Sequence, residues 1–328
     1  MATRVSRVRR SCLAVPGSNP KMLEKAQGLN ADEIFFDLED AVAPTAKEGA
    51  RKNIVEWLNK GEWGDKTIVV RINGVTTEWC EQDVAEIVEG GGRRLDCIMI
   101  PKNEDAAGIR HVENLIEKAQ ANAGITDRRI GLELLIESAA GLTYINDISQ
   151  ASDRAETLIF GYADMSASLG LPAIPAGSPM PGYPGDHLHA GLFATLVACR
   201  TFGLQAIDGP FVAIKDLEGL RTRSIWSKGL GYEGKWALHP GQIEILHEVF
   251  TPTQEEYDRA EAIIEHYNNA KEQGLGAVMF MKDMLDEAVL KQATVVATRG
   301  RASGYSRQTQ LQQYLDEYEE QMKQKAGG

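Results

Sequence analysis

The sequence predicts an α/β fold of the (β/α)8 TIM-barrel type, followed by a C-terminal helical lid or arm. Eight short apolar or β-branched runs alternate with helix-like stretches, and this alternation is typical of a parallel sheet. The eight units fit within about 250 residues, a length that favours a closed barrel over an open sheet. We therefore expect a barrel domain over residues 1–250 and a separate C-terminal segment over residues 251–328.

The predicted strands follow one another at regular spacing along the first domain. They cover residues 11–17, 33–40, 67–73, 97–102, 130–138, 157–164, 204–210 and 234–240. Helix-like patterns lie between them at residues 21–29, 46–58, 81–89, 106–123 and 192–202. Residues 172–185 are rich in proline and glycine, so we expect a long loop after the sixth strand.

Beyond the eighth strand the pattern becomes helical. Thr253 and Glu256 form a capping box, which predicts the start of a helix. The polar tail from residue 303 to residue 328 is marginal as a helix, and we expect it to fray.

Composition excludes several classes of protein. The chain has 328 residues and a net charge of −12, which disfavours binding to nucleic acid and to acidic membranes. No apolar run approaches the roughly 20 residues of a membrane span. The four cysteines have neither zinc nor redox spacing, so an intracellular, cytoplasmic location is expected. Cys12, Cys97 and Cys199 lie in apolar runs and are expected to be core thiols. A basic run near the N-terminus predicts either an anion-binding patch or a solvated arm: Arg4, Arg7, Arg9 and Arg10.

Polar side chains recur where the predicted strands end, and this is where barrel enzymes build their sites. These strand-end residues are Gly17, Glu39, Asp40, Arg71, Asn73, Lys102, Glu137, Asp164, Asp208 and His239. Nearly every strand has such a residue, which indicates an active site at this end of the barrel.

Glu137 and Asp164 are the candidate metal ligands. They end the fifth and sixth predicted strands, and neighbouring strands lie about 4.8 Å apart. Two carboxylates this close repel each other unless a cation lies between them. Mg²⁺, which typically takes one or two protein carboxylates, fits this pair, and Mn²⁺ is a possible substitute.

Arg71 and Asp40 are the candidate catalytic residues of the barrel. A fixed cation such as Arg71 can stabilise the oxygen of an enolate, and it can equally pair with Asp40 or Glu39. Asp40 follows the second strand, where an acidic residue can also complement the dipole of the next helix. Both interpretations stay open at this point.

Nine motifs stand in the same order as in a known family. They are RSCLAVPGSNPKMLEKA, FFDLEDAV, VRING, IMIPK, ELLIESAAG, GYADMSAS, AIDGPF, GKWALHPGQI and EVFTP. Together they resemble the CitE-like, or HpcH/HpaI aldolase/citrate lyase, family, and the likeness is greatest to its malyl-CoA and β-methylmalyl-CoA lyases. The resemblance implies a catalytic TIM barrel whose C-terminal segment serves as a lid and subunit contact in a homotrimer or homohexamer.

The resemblance also implies roles for individual residues. It places Mg²⁺ on Glu137 and Asp164, and Arg71 beside the bound oxyacid and the developing enolate. It makes Asp286, in KDMLDEAVLKQA, an acid/base residue that acts in the site of a neighbouring subunit.

Binding of the CoA thioester is implied for two loops and one residue beside Asp164. In the first loop Lys25 contacts a phosphate, and Lys21 supplies a charge that the family often has at the position of Asn19. The predicted substrate- and CoA-binding residues are Ser18, Lys21, Lys25, Arg71, Ala163, Asp164, Leu238 and His239.

The activity implied by the resemblance is a reversible Claisen cleavage. L-malyl-CoA or β-methylmalyl-CoA splits into glyoxylate and acetyl-CoA or propionyl-CoA, so the partners are a CoA thioester and a keto acid. Three alternatives remain: a citramalyl-CoA lyase that releases pyruvate, a malyl-CoA thioesterase or malate synthase-like enzyme, and a non-catalytic CoA-binding regulator.

Overall fold

The structure, a computed structural model, describes residues 5–172 and 174–326. Arg4 of the basic run therefore lies outside the described residues. The chain divides into two compact units, Met1–Phe250 and Thr251–Gly328.

The first unit is a closed barrel of eight parallel strands, so the predicted (β/α)8 fold is confirmed. Each strand pairs with the next one, and the eighth pairs with the first. The strands are β1 Ser11–Pro16, β2 Glu33–Asp37, β3 Thr67–Arg71, β4 Cys97–Ile100, β5 Gly131–Ile136, β6 Ala155–Phe160, β7 Gln205–Asp208 and β8 Gly234–Ala237.

Strands β2 and β6 end earlier than predicted, and both differences affect candidate site residues. β2 stops at Asp37, because the carboxylate of Asp37 accepts hydrogen bonds from the amides of Glu39 and Ala41 and turns the chain. β6 stops at Phe160, and a helix begins two residues later. Asp164 therefore lies in a helix, and the prediction that it ends a strand is wrong.

Helices cover the outside of the barrel in alternation with the strands. They are α1 Pro20–Ala26, α2 Lys47–Lys60, α3 Cys80–Gly91, α4 Ala106–Asn122, α5 Ala139–Thr143, α6 Ile145–Ser149, α7 Tyr162–Ser168, α8 His189–Phe202, α9 Leu217–Leu230 and α10 Ile243–Phe250. The predicted long loop joins α7 to α8. Across residues 5–172 and 174–326, no helix combines the length and the apolar character needed to cross a membrane.

The core has two layers. The larger one lies between the sheet and the helices, and the smaller one fills the barrel interior. The interior layer consists of Cys12, Phe35, Val69, Cys97, Met99, Leu135, Ile159, Ile207 and Trp236. Cys12, Cys97 and Cys199 are buried and free, in agreement with the expected core thiols, and Cys80 is buried and free as well.

A buried ionic group closes the barrel near the N-terminal ends of its strands. The guanidinium of Arg9 has no exposed surface and lies 2.7–2.9 Å from the carboxylates of Glu33, Glu133 and Glu156. We call these four residues the floor cluster. Burial raises the pKa of Glu133 well above its usual value, and the charge of Glu33 raises it further.

The basic run thus has a structural role that the sequence analysis missed. Arg9 belongs to the floor cluster, Arg7 pairs with Glu156, and Arg10 pairs with Asp32. The charges of these three described arginines are compensated by carboxylates within the fold, so they form neither a solvated arm nor an anion-binding patch.

The second unit contains three helices and a two-stranded antiparallel sheet. Its elements are α11 Gln254–Glu272, β9 Val278–Phe280, β10 Asp283–Leu285, α12 Glu287–Ala302 and α13 Leu311–Ala326. The capping box of Thr253 and Glu256 is present at the start of α11, as predicted.

Two features of this unit were not predicted. The hairpin formed by β9 and β10 falls where the sequence analysis expected a helical segment. The tail, expected to fray, forms α13, because Tyr314 packs on Phe280 with ring centroids 6.2 Å apart and so supplies the tertiary contact that an isolated helix lacks.

Candidate active site

Seven charged residues gather at the carboxyl ends of strands β2 to β6, and we call them the acidic site. Its anions are carboxylates and its cations are one arginine and one lysine: Asp37, Glu39, Asp40, Glu137, Asp164, Arg71 and Lys102. Carboxylates outnumber cations here, so the site is suited to a further cation.

Arg71, the last residue of β3, is held rigidly. Two of its nitrogens, Nε and Nη2, each donate a 2.7 Å hydrogen bond to the carboxylate of Asp37. Its Nη1 lies 2.9 Å from Glu39 and 3.7 Å from Asp40. Burial alone would lower the pKa of Arg71, but the surrounding carboxylates, with Asp37 the largest contributor among them, together outweigh burial and hold the pKa above its usual value.

The ion pair predicted for Arg71 is therefore present, but its main partner is Asp37. Pairing of Asp37 with Arg71 overcomes the effect of burial and lowers the pKa of this carboxyl, so Asp37 is an anion that anchors the arginine. Asp40 is exposed, and its carboxylate lies 3.5 Å from Lys102 Nζ. A catalytic role for Asp40 stays a prediction.

Glu137 follows β5 directly and is only 4% exposed. Its Oε1 accepts a 2.7 Å hydrogen bond from the amide of Lys102, and no described residue donates to Oε2. Burial is the main cause that raises the pKa of Glu137 to about 7, and the charge of Asp164 adds to it. The hydrogen bond from the Lys102 amide opposes this shift. A cation bound at Oε2 would compensate this buried charge.

Asp164 lies in the first turn of α7, and its side chain is 41% exposed. Its Oδ1 is 3.9 Å from Lys102 Nζ, and its charge acts on Glu137. The helix thus presents Asp164 beside Glu137 even though Asp164 does not end a strand. Ala163 is exposed next to it.

The two predicted metal ligands fit a hard divalent cation. A Cβ atom on Gly161 would lie 2.4 Å from Glu137 Oε2, so only glycine leaves room for this oxygen. No group of three or more His, Cys, Asp or Glu suited to a metal ion occurs among the described residues. Mg²⁺ is typically bound by one or two protein carboxylates, and water and substrate oxygens fill its remaining coordination positions. This pair of carboxylates therefore suits Mg²⁺.

We expect Gly161→Ala to weaken metal binding, because the new methyl group displaces Glu137 Oε2. The expected loss of activity is on the order of a hundredfold, the effect of moving a catalytic group by about 1 Å. Mn²⁺ titration and steady-state kinetics check this result. Gly49→Ala is the matched control, since no atom lies within 4 Å of its new Cβ; equal behaviour of the two variants would contradict the prediction.

We also expect metal affinity to depend on pH. Below its pKa of about 7, Glu137 must release a proton when a cation binds. Affinity for Mn²⁺ should therefore rise by about tenfold per pH unit below pH 7 and level off above it. Titration at a series of pH values measures this slope, and constant affinity from about pH 5.5 to 7 would contradict it.

The same pKa has a consequence for stability of the metal-free protein. The folded-state pKa of Glu137 lies above the usual carboxyl value of 4.5, so the folded state holds the proton more tightly than the unfolded chain. Burial of the ionised group therefore costs stability progressively as pH rises from about 4.5 to about 7.

Two groups of residues predicted to bind CoA lie after the adjacent strands β1 and β8, and part of the first predicted loop is the helix α1. Ser18 is in the turn after β1, and Lys21 and Lys25 are exposed on α1. Leu238 and His239 follow β8, which pairs with β1. His239 also caps the next turn, because its Nδ1 accepts a 3.1 Å hydrogen bond from the amide of Gly241.

A cavity of about 870 Å³ opens on the β2–β4 side of the acidic site. Glu39, Asp40 and Lys102 form part of its wall, together with Trp79 and His111. None of the residues predicted for CoA lines it, so these residues and the cavity lie in different sectors of the barrel end.

Asp286 belongs to the second unit, where it is exposed and caps α12. Its Oδ1 accepts a 3.0 Å hydrogen bond from the amide of Val289. The side chain of Asp286 thus has a structural role as the N-cap of α12, and its acid/base role stays a prediction.

Two residues of the acidic site received no role from the sequence. Asp37 was not singled out, yet its position as the last residue of a fully buried strand signals a paired charge. Lys102 was recognised only as a polar strand end, but it contacts most of the carboxylates.

Comparison with known proteins gives concordant results. The family model described as HpcH/HpaI aldolase/citrate lyase matches residues 10–240. An L-malyl-CoA/beta-methylmalyl-CoA lyase of Rhodobacter capsulatus is 39% identical over 302 residues, covering 89% of this chain and 94% of the relative.

Solved structures agree with this result. A citrate lyase of Burkholderia xenovorans LB400 matches with a TM-score of 0.81 at 20% identity, and the match covers 95% of this chain and 98% of the citrate lyase chain. At this identity the match supports the fold alone. A Mycobacterium tuberculosis CitE in complex with magnesium and acetoacetate matches with a TM-score of 0.61 at 25% identity. The match covers 77% of this chain and 94% of the CitE chain.

Proposed function

Because this chain belongs to the HpcH/HpaI aldolase/citrate lyase family and is a lyase, we propose that it cleaves L-malyl-CoA or β-methylmalyl-CoA reversibly. The products are glyoxylate and acetyl-CoA or propionyl-CoA. A relative with 39% identity over most of both chains is a lyase for these two thioesters. The observation that carries the proposal is the acidic site, in which Glu137 and Asp164 lie beside a fixed guanidinium.

Glu137 and Asp164 are proposed to hold Mg²⁺, as the magnesium complex of the 25%-identical CitE supports. When bound, Mg²⁺ would supply Lewis-acid polarisation of the oxygen that becomes the carbonyl. Glu137 suits this role because it is buried, fixed on one oxygen by the Lys102 amide and open on the other.

Cleavage breaks the bond between the carbinol carbon and the carbon next to the thioester. The hydroxyl passes its proton to a carboxylate base, for which Asp40 is the candidate in the barrel, and its oxygen becomes that of the glyoxylate carbonyl. The electron pair of the broken bond passes to the thioester enolate. Arg71 is proposed to stabilise the negative oxygen that develops, since its guanidinium is fixed by Asp37 before any substrate arrives.

The enolate must then gain a proton at carbon to leave as acetyl-CoA or propionyl-CoA. We assign this step to Asp286 of a neighbouring subunit in a homotrimer or homohexamer, with Asp40 as a further acid/base candidate in the barrel. Lys21 and Lys25 are proposed to bind CoA phosphates, since both ammonium groups are exposed beside the barrel end.

A substrate panel tests this function. Glyoxylate and pyruvate are each combined with acetyl-CoA and propionyl-CoA in the presence of Mg²⁺, and the condensation products are identified by mass spectrometry. In the cleavage direction, release of glyoxylate from malyl-CoA is followed as the phenylhydrazone. We expect both glyoxylate reactions to proceed.

The panel also separates the alternatives. Condensation with pyruvate alone would identify a citramalyl-CoA lyase, and formation of free malate would identify thioesterase or malate synthase-like activity. Binding of CoA without turnover of any pair would indicate a regulator and overturn the proposal.

A further inference from the structure

Lys102 is placed to act on the whole acidic site. Its ammonium lies 2.5 Å from Glu39, 3.5 Å from Asp40 and 3.9 Å from Asp164. Its amide donates to Glu137 at 2.7 Å. One residue therefore contacts four of the five carboxylates, including both proposed metal ligands.

The backbone of Lys102 is unusual as well. Its φ is +53°, and among the described non-glycine residues only Met281 shares a positive φ. For an L-residue other than glycine this left-handed conformation is strained. Within the acidic site, the strained residue is the one whose amide reaches Glu137 and whose side chain contacts the other carboxylates.

We infer that Lys102 is a positioning residue that lowers and tunes the metal affinity of the acidic site. Its left-handed amide orients Glu137 so that Oε2 faces the metal position. Its ammonium acts as an internal counter-ion that a divalent cation must partly displace from Asp164. This inference rests on the proposed function, since it takes Glu137 and Asp164 as the metal ligands.

The two actions oppose each other in their effect on affinity. The amide favours metal binding by fixing one ligand, whereas the ammonium disfavours it by repulsion and by occupying the second ligand. A glycine separates the two effects, because it adopts a positive φ freely and retains the amide while it removes the ammonium.

Lys102→Gly is therefore expected to bind Mn²⁺ about tenfold more tightly than the wild type, the size expected when one charge is removed from a partly buried site. Lys102→Ala should bind several-fold more weakly than Lys102→Gly, because its Cβ strains the left-handed backbone after the ammonium contacts are lost. Electron paramagnetic resonance of free Mn²⁺ gives the dissociation constants. Lys52→Ala, an exposed lysine paired with Glu48, is the control.

Each outcome has a distinct meaning. A dissociation constant of Lys102→Gly within about twofold of the wild-type value would overturn the counter-ion role. Equal affinities of the glycine and alanine variants would overturn the role of the amide. Absence of Mn²⁺ binding by the wild type would overturn the proposed metal site and this inference with it. Lys102→Asn, which also tolerates a positive φ, replaces the glycine variant if thermal unfolding shows that the latter is unfolded.

Discussion

Glu137→Gln is expected to abolish measurable turnover and to weaken Mn²⁺ binding by more than about a hundredfold. Mutation of a group that merely orients a metal ligand already lowers metal affinity or activity by about 10–100-fold, so the loss of the ligand itself is expected to have a larger effect. Glutamine has nearly the same shape as glutamate and can still accept the hydrogen bond from the Lys102 amide. The change therefore removes the negative charge and leaves the fold in place.

Folding and metal binding can be separated in this experiment. Burial of an ionised Glu137 is unfavourable, so the metal-free variant should be at least as stable as the wild type above pH 7. Thermal unfolding without metal measures this, and Mn²⁺ titration measures the affinity. Glu104→Gln, a change at an exposed glutamate of the neighbouring cavity, is the matched control. Wild-type turnover by Glu137→Gln would refute the assignment of Glu137 as a metal ligand.

Arg9→Met is expected to destabilise the barrel by about 3–5 kcal/mol, because removal of one partner leaves buried charges uncompensated. Methionine fills most of the space of the arginine side chain, but it leaves the carboxylates of Glu33, Glu133 and Glu156 without their shared cation. For a domain of this size the loss corresponds to a fall in Tm of roughly 10 °C.

The destabilisation should be smaller at pH 5 than at pH 8. Burial already raises the pKa values of Glu33 and Glu133, and removal of Arg9 raises them further. Mild acid then protonates the floor cluster and relieves the repulsion. Denaturant unfolding at the two pH values measures the difference. Arg93→Ala is the control, since the Arg93 side chain is 66% exposed; a loss below about 1 kcal/mol for Arg9→Met would contradict the prediction.

The fold could be predicted from the sequence because its signal is local and repeated. Apolar runs such as EIFFD and TIVVR are bounded by polar turn residues, and the alternation with helices leaves few topologies. The position of Glu137 followed from the same pattern, because a carboxylate directly after a buried strand has few explanations.

The features of the fold and of the acidic site that were not predicted depend on three-dimensional geometry, which the sequence pattern does not indicate. The run TLIFGYAD is apolar or small between its first and last residues, so nothing in its periodicity marks the change from strand to helix at Gly161. The bidentate contact of Asp37 with Arg71 depends on the register of β2 against β3. The left-handed backbone of Lys102 has no sequence signal, because lysine rarely adopts it.

The floor cluster also constrains the order in which the chain can fold during synthesis. Arg9 emerges from the ribosome early, but its partner Glu156 follows 147 residues later. Strand β1 is completed only when Lys235 pairs with Ser11, near the end of the barrel. The nascent barrel thus keeps an unpaired edge of β1 until most of the chain has been made, and the floor cluster stays incomplete until Glu156 has been added. Such long-range pairing favours slow, late closure of the barrel and leaves apolar strand edges exposed to aggregation in the meantime.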